Sequence, residues 1–223
     1  MPLAETLRRV PLFADLTPEE LTRVGDATRE RSYPKNSVIV FEDDPGDALY
    51  VVVQGHVKVV LIGEDGREVI LSVLGEGDFF GEMALIDDQP RSAHVIAMED
   101  ANLLVLRRED FHSALEDHPR IALGLLRALS RRLRRADDKI GALVLLDVLG
   151  RVARLLLELA DENDGLTITR RVTHHTIAQM IGSSRETVSR TMRDLVDRGL
   201  IDVSRRSITI RDRKALEAAA GLA

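Results

Sequence analysis

The sequence predicts an α+β chain with an N-terminal sandwich or barrel of short antiparallel strands, one long helix, and a C-terminal module of helices closed by a strand hairpin. Three observations carry this prediction. β-branched runs separated by glycine fill residues 33–106, an apolar repeat in steps of three and four runs from Leu126 to Leu143, and two helical patterns divided by Gly182 are followed by two short strands. A chain of 223 residues, 44% of them hydrophobic, can bury a core as one large domain or two small ones, and no long biased tract suggests disorder.

Residues 3–30 read as short helices. Thr17-Pro18-Glu19-Glu20 offers an N-cap, a proline at the first helical position and a glutamate at the third, ahead of apolar Leu21 and Val24. From Tyr33 to Leu106 the texture changes to runs such as Val38-Ile39-Val40-Phe41, Leu49-Tyr50-Val51-Val52-Val53, Val57-Lys58-Val59-Val60-Leu61 and Val69-Ile70-Leu71. Seven of the fifteen glycines lie between Gly46 and Gly81, at the joints of these runs, as an antiparallel sandwich or barrel requires. A brief helix near Asp110 to Glu116 leads to a long one starting about Pro119. On it Leu126, Leu129, Leu133, Ala136, Ile140 and Leu143 form the a/d seam of a coiled coil, its edges kept polar by Arg131, Arg132, Arg134 and Arg135. The other reading of this helix is the core of a single domain. An amphipathic helix follows from Asp147 through Leu159, then a polar turn from Asp161 to Gly165 and a strand pattern from Leu166 to Val172. Two helices split by Gly182, and short strands around Val203 and Ile208-Thr209-Ile210, complete a winged helix-turn-helix.

Composition narrows the function. The absence of cysteine removes disulfides, thiolate zinc sites and cysteine-ligated iron–sulfur clusters. No apolar run of membrane-spanning length exists and the first residues lack a basic region followed by an apolar core, so a soluble, cytoplasmic protein with no membrane partner is expected. The net charge of −6 is unevenly placed. Residues 1–164 carry 20 basic against 31 acidic side chains, whereas residues 165–214 carry 11 against 5. A basic module on an acidic body suits a polyanionic partner, although a solvated charged face would share the pattern.

The basic module contains Gly182-Ser183-Ser184-Arg185-Glu186-Thr187-Val188-Ser189-Arg190. Thr173 can cap a first helix carrying Ile177, Ala178 and Ile181, small Ala178 permits close crossing, and Gly182 allows the turn. The second helix then begins at Ser183 or Ser184 and opens with Arg185 and Glu186, with Ser189 and Arg190 one turn on. Residues in this position of a recognition helix face base edges in the major groove, where arginine reads guanine and glutamate accepts from cytosine. Ser184, Thr187 and Thr173, with Arg205 and Arg206 at the wing tip, suit phosphate contacts. The plainer alternative makes Ser183 and Glu186 a capping box and the arginines surface solvation.

A second motif, Phe80-Gly81-Glu82-Met83-Ala84-Leu85 running to Arg91-Ser92-Ala93, suits a small phosphate. Gly81 allows close backbone approach, the first amides of a short helix beginning near Glu82, those of Met83 and Ala84, can face an anion, Arg91 brings a fork of donors and Ser92 a hydroxyl. Glu82 would repel a phosphate, so its better use is to accept from a sugar hydroxyl while a cation such as Arg132 offsets its charge. A structural Arg91–Glu82 pair at a glycine turn is the alternative.

Nearly the whole chain, from Val10-Pro11-Leu12-Phe13 through the wing, resembles the cyclic AMP receptor protein family of bacterial regulators, whose other branch holds the fumarate and nitrate reduction regulators. Besides the two motifs above, the likeness rests on Pro45-Gly46-Asp47-Ala48-Leu49-Tyr50 with Gly55, and on Leu146-Asp147-Val148. The resemblance implies a double-stranded β-helix (jelly-roll) sensor over residues 1–118, a dimerisation helix over 119–145 and a winged helix-turn-helix over 146–223. It implies cyclic AMP as effector and no metal, with Glu82 on the ribose, Arg91 and Ser92 on the cyclic phosphate, and Arg132 supporting Glu82. Arg185, Glu186 and Arg190 would read a TGTGA-type half-site repeated as a palindrome. The implied partners are double-stranded DNA, a second copy of the chain and RNA polymerase. Two departures stand out. Ala136 and Asp137 occupy the positions where relatives place a Thr-Ser pair against adenine, which leaves another nucleotide, or DNA binding without ligand, open. The turn from Asp161 to Gly165 is shorter than the segment with which better-known relatives touch RNA polymerase. Three other classes fit less well. A cupin-like enzyme would need metal-ligand spacing that His56, His94, His112 and His118 lack, and the pair His174-His175 sits beside the helix-turn-helix. A bare nucleotide-binding module leaves the reading helix unexplained, and a haem sensor would have to use histidine or a terminal amine.

Overall fold

Two short helices open the first unit, α1 (Leu3–Arg8) and α2 (Pro18–Ala27). The computed structural model describes residues 3–162, 164–169, 172–204 and 207–222, and the chain divides into two units, Met1–Leu133 and Arg134–Ala223. Helix α2 starts where the sequence places it. Thr17 accepts from the Glu20 amide while the Glu20 carboxylate accepts from the Thr17 amide at 2.7 Å, a reciprocal capping box. That backbone hydrogen bond holds the Glu20 carboxyl below its ordinary value, so the box contributes at neutral pH and is lost as pH falls through the lowered value.

Strands β1 (Thr28–Tyr33), β2 (Val38–Val40), β3 (Ala48–Gln54), β4 (Val57–Ile62), β5 (Glu68–Leu74) and β6 (Phe79–Phe80) follow, then the single-turn helix α3 (Met83–Ile86), β7 (His94–Ala97), β8 (Ala101–Arg107) and helix α4 (Arg108–Asp117). They pair antiparallel in two four-stranded sheets, ordered β1-β8-β3-β6 and β2-β7-β4-β5, the jelly-roll arrangement expected. The apolar run in β3 reflects burial on both faces. Tyr50 and Val52 point into the core shared with Val57, Val95 and Leu103, while Leu49 and Val51 point to a second core with Leu7, Phe13, Leu21, Phe111 and Ile121. The hairpin of β4 and β5 carries similar runs, yet Ile62, Val69 and Leu71 are exposed, and none of its described residues joins the core that the helices share.

Helix α5 (Pro119–Leu145) carries two apolar stripes rather than one. Ile121, Leu125 and Ala128 are buried in the roll-side core, a stripe that the seam reading does not contain. The seam itself faces outward. Leu126 and Leu133 are each 64% exposed, Ile140 60% and Leu143 52%, Ala136 is exposed too, and Leu129 packs partly against the core.

The second unit continues from the end of α5 with α6 (Val148–Asp161), whose N-cap Asp147 accepts from the Gly150 amide. Strand β9 (Thr167–Ile168), helices α7 (His174–Ile181) and α8 (Arg185–Asp197), strands β10 (Ile201–Val203) and β11 (Ile208–Ile210) and helix α9 (Arg213–Ala219) complete it. The three strands form one antiparallel sheet ordered β10-β11-β9, and Leu156, Ile177, Val188, Leu195 and Leu216 meet in its core. Helix α9 is absent from the sequence reading. Arg213 ties it down by donating to the Asp161 carboxylate at 2.7 Å, to the Gly165 carbonyl and to Glu217.

Phe111 is fully buried and fixes α4 to the roll, so Phe111→Ala should cost about 3–5 kcal/mol of unfolding free energy. Thr17→Ala, which removes one cap, should cost about 1 kcal/mol. Denaturant midpoints of the two variants should fall in that order.

Candidate functional site

The phosphate cassette is built on a left-handed turn. Gly81 has φ +88°, and a Cβ there would lie 2.5 Å from Arg91 Nη1 and 2.9 Å from the Ala48 carbonyl oxygen, so only glycine fits. Arg91 is 5% exposed and donates from Nη1 to the Gly81 carbonyl and from Nη2 to the Ala48 carbonyl, each at 2.8 Å, with the Asp47 carboxylate 3.6 Å away. Burial lowers the guanidinium pKa, and Tyr50, Asp47 and Glu82 act in the opposite direction, so Arg91 remains a cation. Its guanidinium also lies 5.8 Å from the centroid of Tyr50, which stacks on Phe80 with centroids 4.9 Å apart.

Glu82 is 2% exposed, and its partner is Arg132 rather than Arg91, which removes the reading of a structural Arg91–Glu82 pair. Arg132 Nη1 donates to the Glu82 carboxylate at 2.6 Å, its Nη2 donates to the Phe79 carbonyl, and its guanidinium lies 4.6 Å from the Phe79 ring centroid. A carboxylate paired with one nitrogen of a forked cation still has lone pairs with which to accept from a second donor. Helix α3 begins at Met83, with its first intrahelical bond donated by the Leu85 amide to the Glu82 carbonyl, so the amides of Met83 and Ala84 precede the ladder. The Ser92 hydroxyl is 3.9 Å from Met83 Sδ.

Gly81, Glu82, Met83, Ala84, Arg91, Ser92 and Arg132 are thereby gathered at one end of the roll. Ala136 and Asp137 lie further along α5, in the second unit, with exposed side chains. Hollows of about 250 and 500 Å3 elsewhere on the roll include none of these residues. The chemistry of the turn, not cavity size, marks it as a site.

In the second unit, Thr173 caps α7 by accepting from the Thr176 amide, and Ser184 caps α8 by accepting from the Thr187 amide. Both caps share a further device. The hydroxyls of Thr173 and Thr176 lie 2.9 Å apart, as do those of Ser184 and Thr187. Since the cap is Ser184, the alternative capping box of Ser183 with Glu186 is not formed, and Glu186 is exposed. Gly182, at φ +64°, ends α7 in the left-handed conformation. Val188, Met192 and Leu195 bury one face of α8, which leaves Arg185, Glu186, Arg190 and Arg193 on the solvent side with Ser189 half-buried between them. Arg193, two turns beyond Arg185, was not singled out in the sequence, although a basic residue at eight-residue spacing on the exposed face is the signal that finds it. Arg205 and Arg206 lie outside the described residues.

Comparison with known proteins finds matches in both parts of the chain. A family model for the cyclic nucleotide-binding domain matches residues 30–118, and one for the Crp-like helix-turn-helix domain matches residues 150–219. The "CRP-like cAMP-activated global transcriptional regulator" of Mycobacterium tuberculosis is 34% identical over 217 residues, covering 95% of this chain and 97% of that protein. The "Cyclic AMP receptor protein" of Thermus thermophilus is 38% identical over 207 residues, covering 93% and 95%. Among solved structures, the c-di-GMP responsive regulator CLP of Xanthomonas campestris aligns with a TM-score of 0.78 at 27% identity, covering 88% of this chain and all of that one. With both domains matched and the alignments running nearly end to end, the chain belongs to the CRP/FNR family of DNA-binding transcription regulators.

Proposed function

We propose that the protein is a homodimeric transcription regulator controlled by cyclic AMP that reads TGTGA-type palindromes, with a sensor over residues 1–118, a dimerisation helix over 119–145 and a DNA-binding domain over 146–223. The observation that carries the reading is the contrast between the two sites: Glu82 and Arg91 are buried and held by hydrogen bonds at one turn, whereas the polar face of α8 is held out to solvent. In this assignment the cyclic phosphate sits against Arg91, Ser92 and the amides of Met83 and Ala84, and the ribose hydroxyl donates to Glu82. The relatives named for cyclic AMP support the choice of nucleotide. One observation favours a second reading, an effector with a different base: Ala136 and Asp137 stand where the hydroxyl pair of the cyclic AMP receptors would be.

The outward stripe of α5 supports pairing with a second copy, since leucines left in water forgo the stabilisation that burial would give. An effector that favours one packing of the paired helices would shift the population of dimers, by no more than its differential affinity for the two states. Within the second unit the end of α5 approaches the turn that opens α8. A Cβ on Gly182 would lie 3.6 Å from Leu143 Cδ2. A hinge at Leu146 to Gly150, where α5 gives way to α6, would carry the change to the reading helices, which must stand about 34 Å apart to occupy successive major grooves. RNA polymerase contact would have to use a surface other than the short turn at Asp161–Gly165.

Three outcomes are expected. Arg91→Leu should lower cyclic AMP affinity at least about 100-fold by calorimetry, with a stability loss of about 1–3 kcal/mol from the two carbonyls left without a donor; unchanged affinity would overturn the pocket. Arg185→Ala should relax discrimination at one guanine by about 1–3 kcal/mol in competition binding, whereas Arg193→Ala should weaken all duplexes alike and reduce the slope of log K against log salt by about 1. Leu126→Asp with Leu133→Asp should convert a dimer into a monomer in sedimentation, and a sedimentation coefficient identical to that of the unsubstituted protein would exclude the seam as the interface.

A further inference from the structure

Helix α3 is a single turn, too short to hold itself, and its last carbonyls are taken by α4. Arg108 Nη2 donates to the Ala84 carbonyl at 2.8 Å, and His112, one turn further along α4, lies with Nε2 2.8 Å from the Leu85 carbonyl. The same guanidinium donates to the Gly46 carbonyl from Nη2 at 2.7 Å and from Nε at 3.3 Å, and pairs with Asp88 through Nη1. The Arg108 amide, one of the first-turn donors of α4 with no intrahelical acceptor, donates to the Asp47 carbonyl at 2.8 Å. Arg108 therefore grips both strands of chain that flank Arg91, the loop at Gly46–Asp47 and helix α3.

Packing at that loop leaves no slack. A Cβ on Gly46 would lie 2.3 Å from Ala84 Cβ and 3.4 Å from Arg91 Cζ, so the loop, α3 and the Arg91 guanidinium are pressed together. Within the first turn of α4, fully buried Phe111 fixes the helix to the roll. A displacement of α3 relative to the roll would require Arg108 to release the Ala84 carbonyl while retaining that of Gly46. With Nη2 donating to both carbonyls and Nε of the same rigid plane also donating to that of Gly46, the distance between loop and helix is set by the guanidinium itself.

We propose that Arg108 is a positioning residue of the nucleotide cassette, fixing the amides of Met83 and Ala84 and the Arg91 guanidinium at the separation that a bound cyclic phosphate requires. The proposal rests on the assignment of the cassette as a nucleotide site. Arg108 does not touch the ligand and acts through Gly46, Ala84 and Asp47. The exposed ion pair to Asp88 is a minor part of the grip, because that carboxylate is 81% exposed.

The test uses the full chain with Arg108→Met, Arg108→Lys and Asp88→Asn. Cyclic AMP affinity by calorimetry and amide hydrogen exchange without nucleotide are measured side by side. Arg108→Met should weaken binding roughly tenfold or more, the loss expected when charge-assisted bonds that set a geometry are removed. Exchange should accelerate over residues 83–88 and at Asp47, and stay unchanged in the β3 and β8 amides of the core. Arg108→Lys should recover only part of both effects, since an ammonium can replace Nη2 between the two carbonyls but not the second bond from Nε to Gly46 or the rigid plane that holds them, and Asp88→Asn should change little. Affinity within threefold of the unsubstituted protein, or exchange accelerated evenly over the whole roll, would overturn the positioning role and leave Arg108 a stabilising residue only. If the unsubstituted protein binds no cyclic nucleotide, the nucleotide assignment fails, while the local exchange pattern still decides whether Arg108 holds the loop and α3.

Discussion

A carboxylate buried at 2% exposure is the constraint around which the first unit is arranged. Taking the charge of Glu82 out of water costs several kcal/mol, and it is tolerable only with a cation in direct contact. The roll does not supply that cation. Arg132 comes from α5, reaches Glu82 at 2.6 Å, and is steadied by the Phe79 carbonyl and ring. Ile121, Leu125 and Ala128 hold the first turns of α5 in the roll-side core, which places Arg132 within reach. The placement of the first turns of α5 and the ion pair at Glu82 are thus one question, and a change at either acts on the other.

How far this was legible in the sequence depends on the range of the interaction. The caps of α2, α7 and α8 are written within four residues; Thr17 and Thr173 cap as their neighbours suggest, and Ser184 is one of the two starts that the sequence left open for α8. Gly182 is legible for the same reason, since the turn needs a backbone conformation that side chains resist. Strand runs marked where β3 and β4 lie but not that β3 is covered on both faces and the hairpin of β4 and β5 on one, because that difference is made by helices distant in sequence. Arg108 illustrates the limit. Its acceptors at Gly46 and Ala84 are 62 and 24 residues away, and nothing local separates it from neighbouring Arg107. Helix α9 was missed because a seven-residue helix has little periodicity to show, and its anchor, Arg213 on Asp161, is again a distant pair.

The double stripe on α5 gives one helix two apolar faces, one buried in the roll-side core and one exposed. Residues 121, 125 and 128 are spaced four and three apart, as are 126, 129 and 133, and the two series are offset by about one residue, so they occupy neighbouring faces. A sequence scan that looks for the longest unbroken repeat finds the second series and passes over the first. Leu129, half-buried against the roll-side core, sits at the border and belongs to both. Arginines at 131, 134 and 135 keep the helix edges hydrated, whereas Arg132, four residues after Ala128, continues the inner stripe and pairs with Glu82.

Along α8 the same logic separates recognition from self-stabilisation. Arg198, just past the helix end, pairs with Asp194 at 2.8 Å, four residues back, which neutralises the C-terminal turns. At the N-terminal end, no ion pair within 4.0 Å joins Arg185, Glu186 or Arg190 to another described residue, and Arg190 makes only a long 3.5 Å contact with the Thr187 hydroxyl. Charged groups at the start of a helix are ordinarily acidic, because the macrodipole is positive there, so Arg185 stands against the local field. A folded module gains nothing from that placement. For an arginine on an unfavourable helix end, with no ion pair to another described residue, the proposed DNA contact would supply, from an outside anion or a base edge, the acceptors that its described neighbours do not.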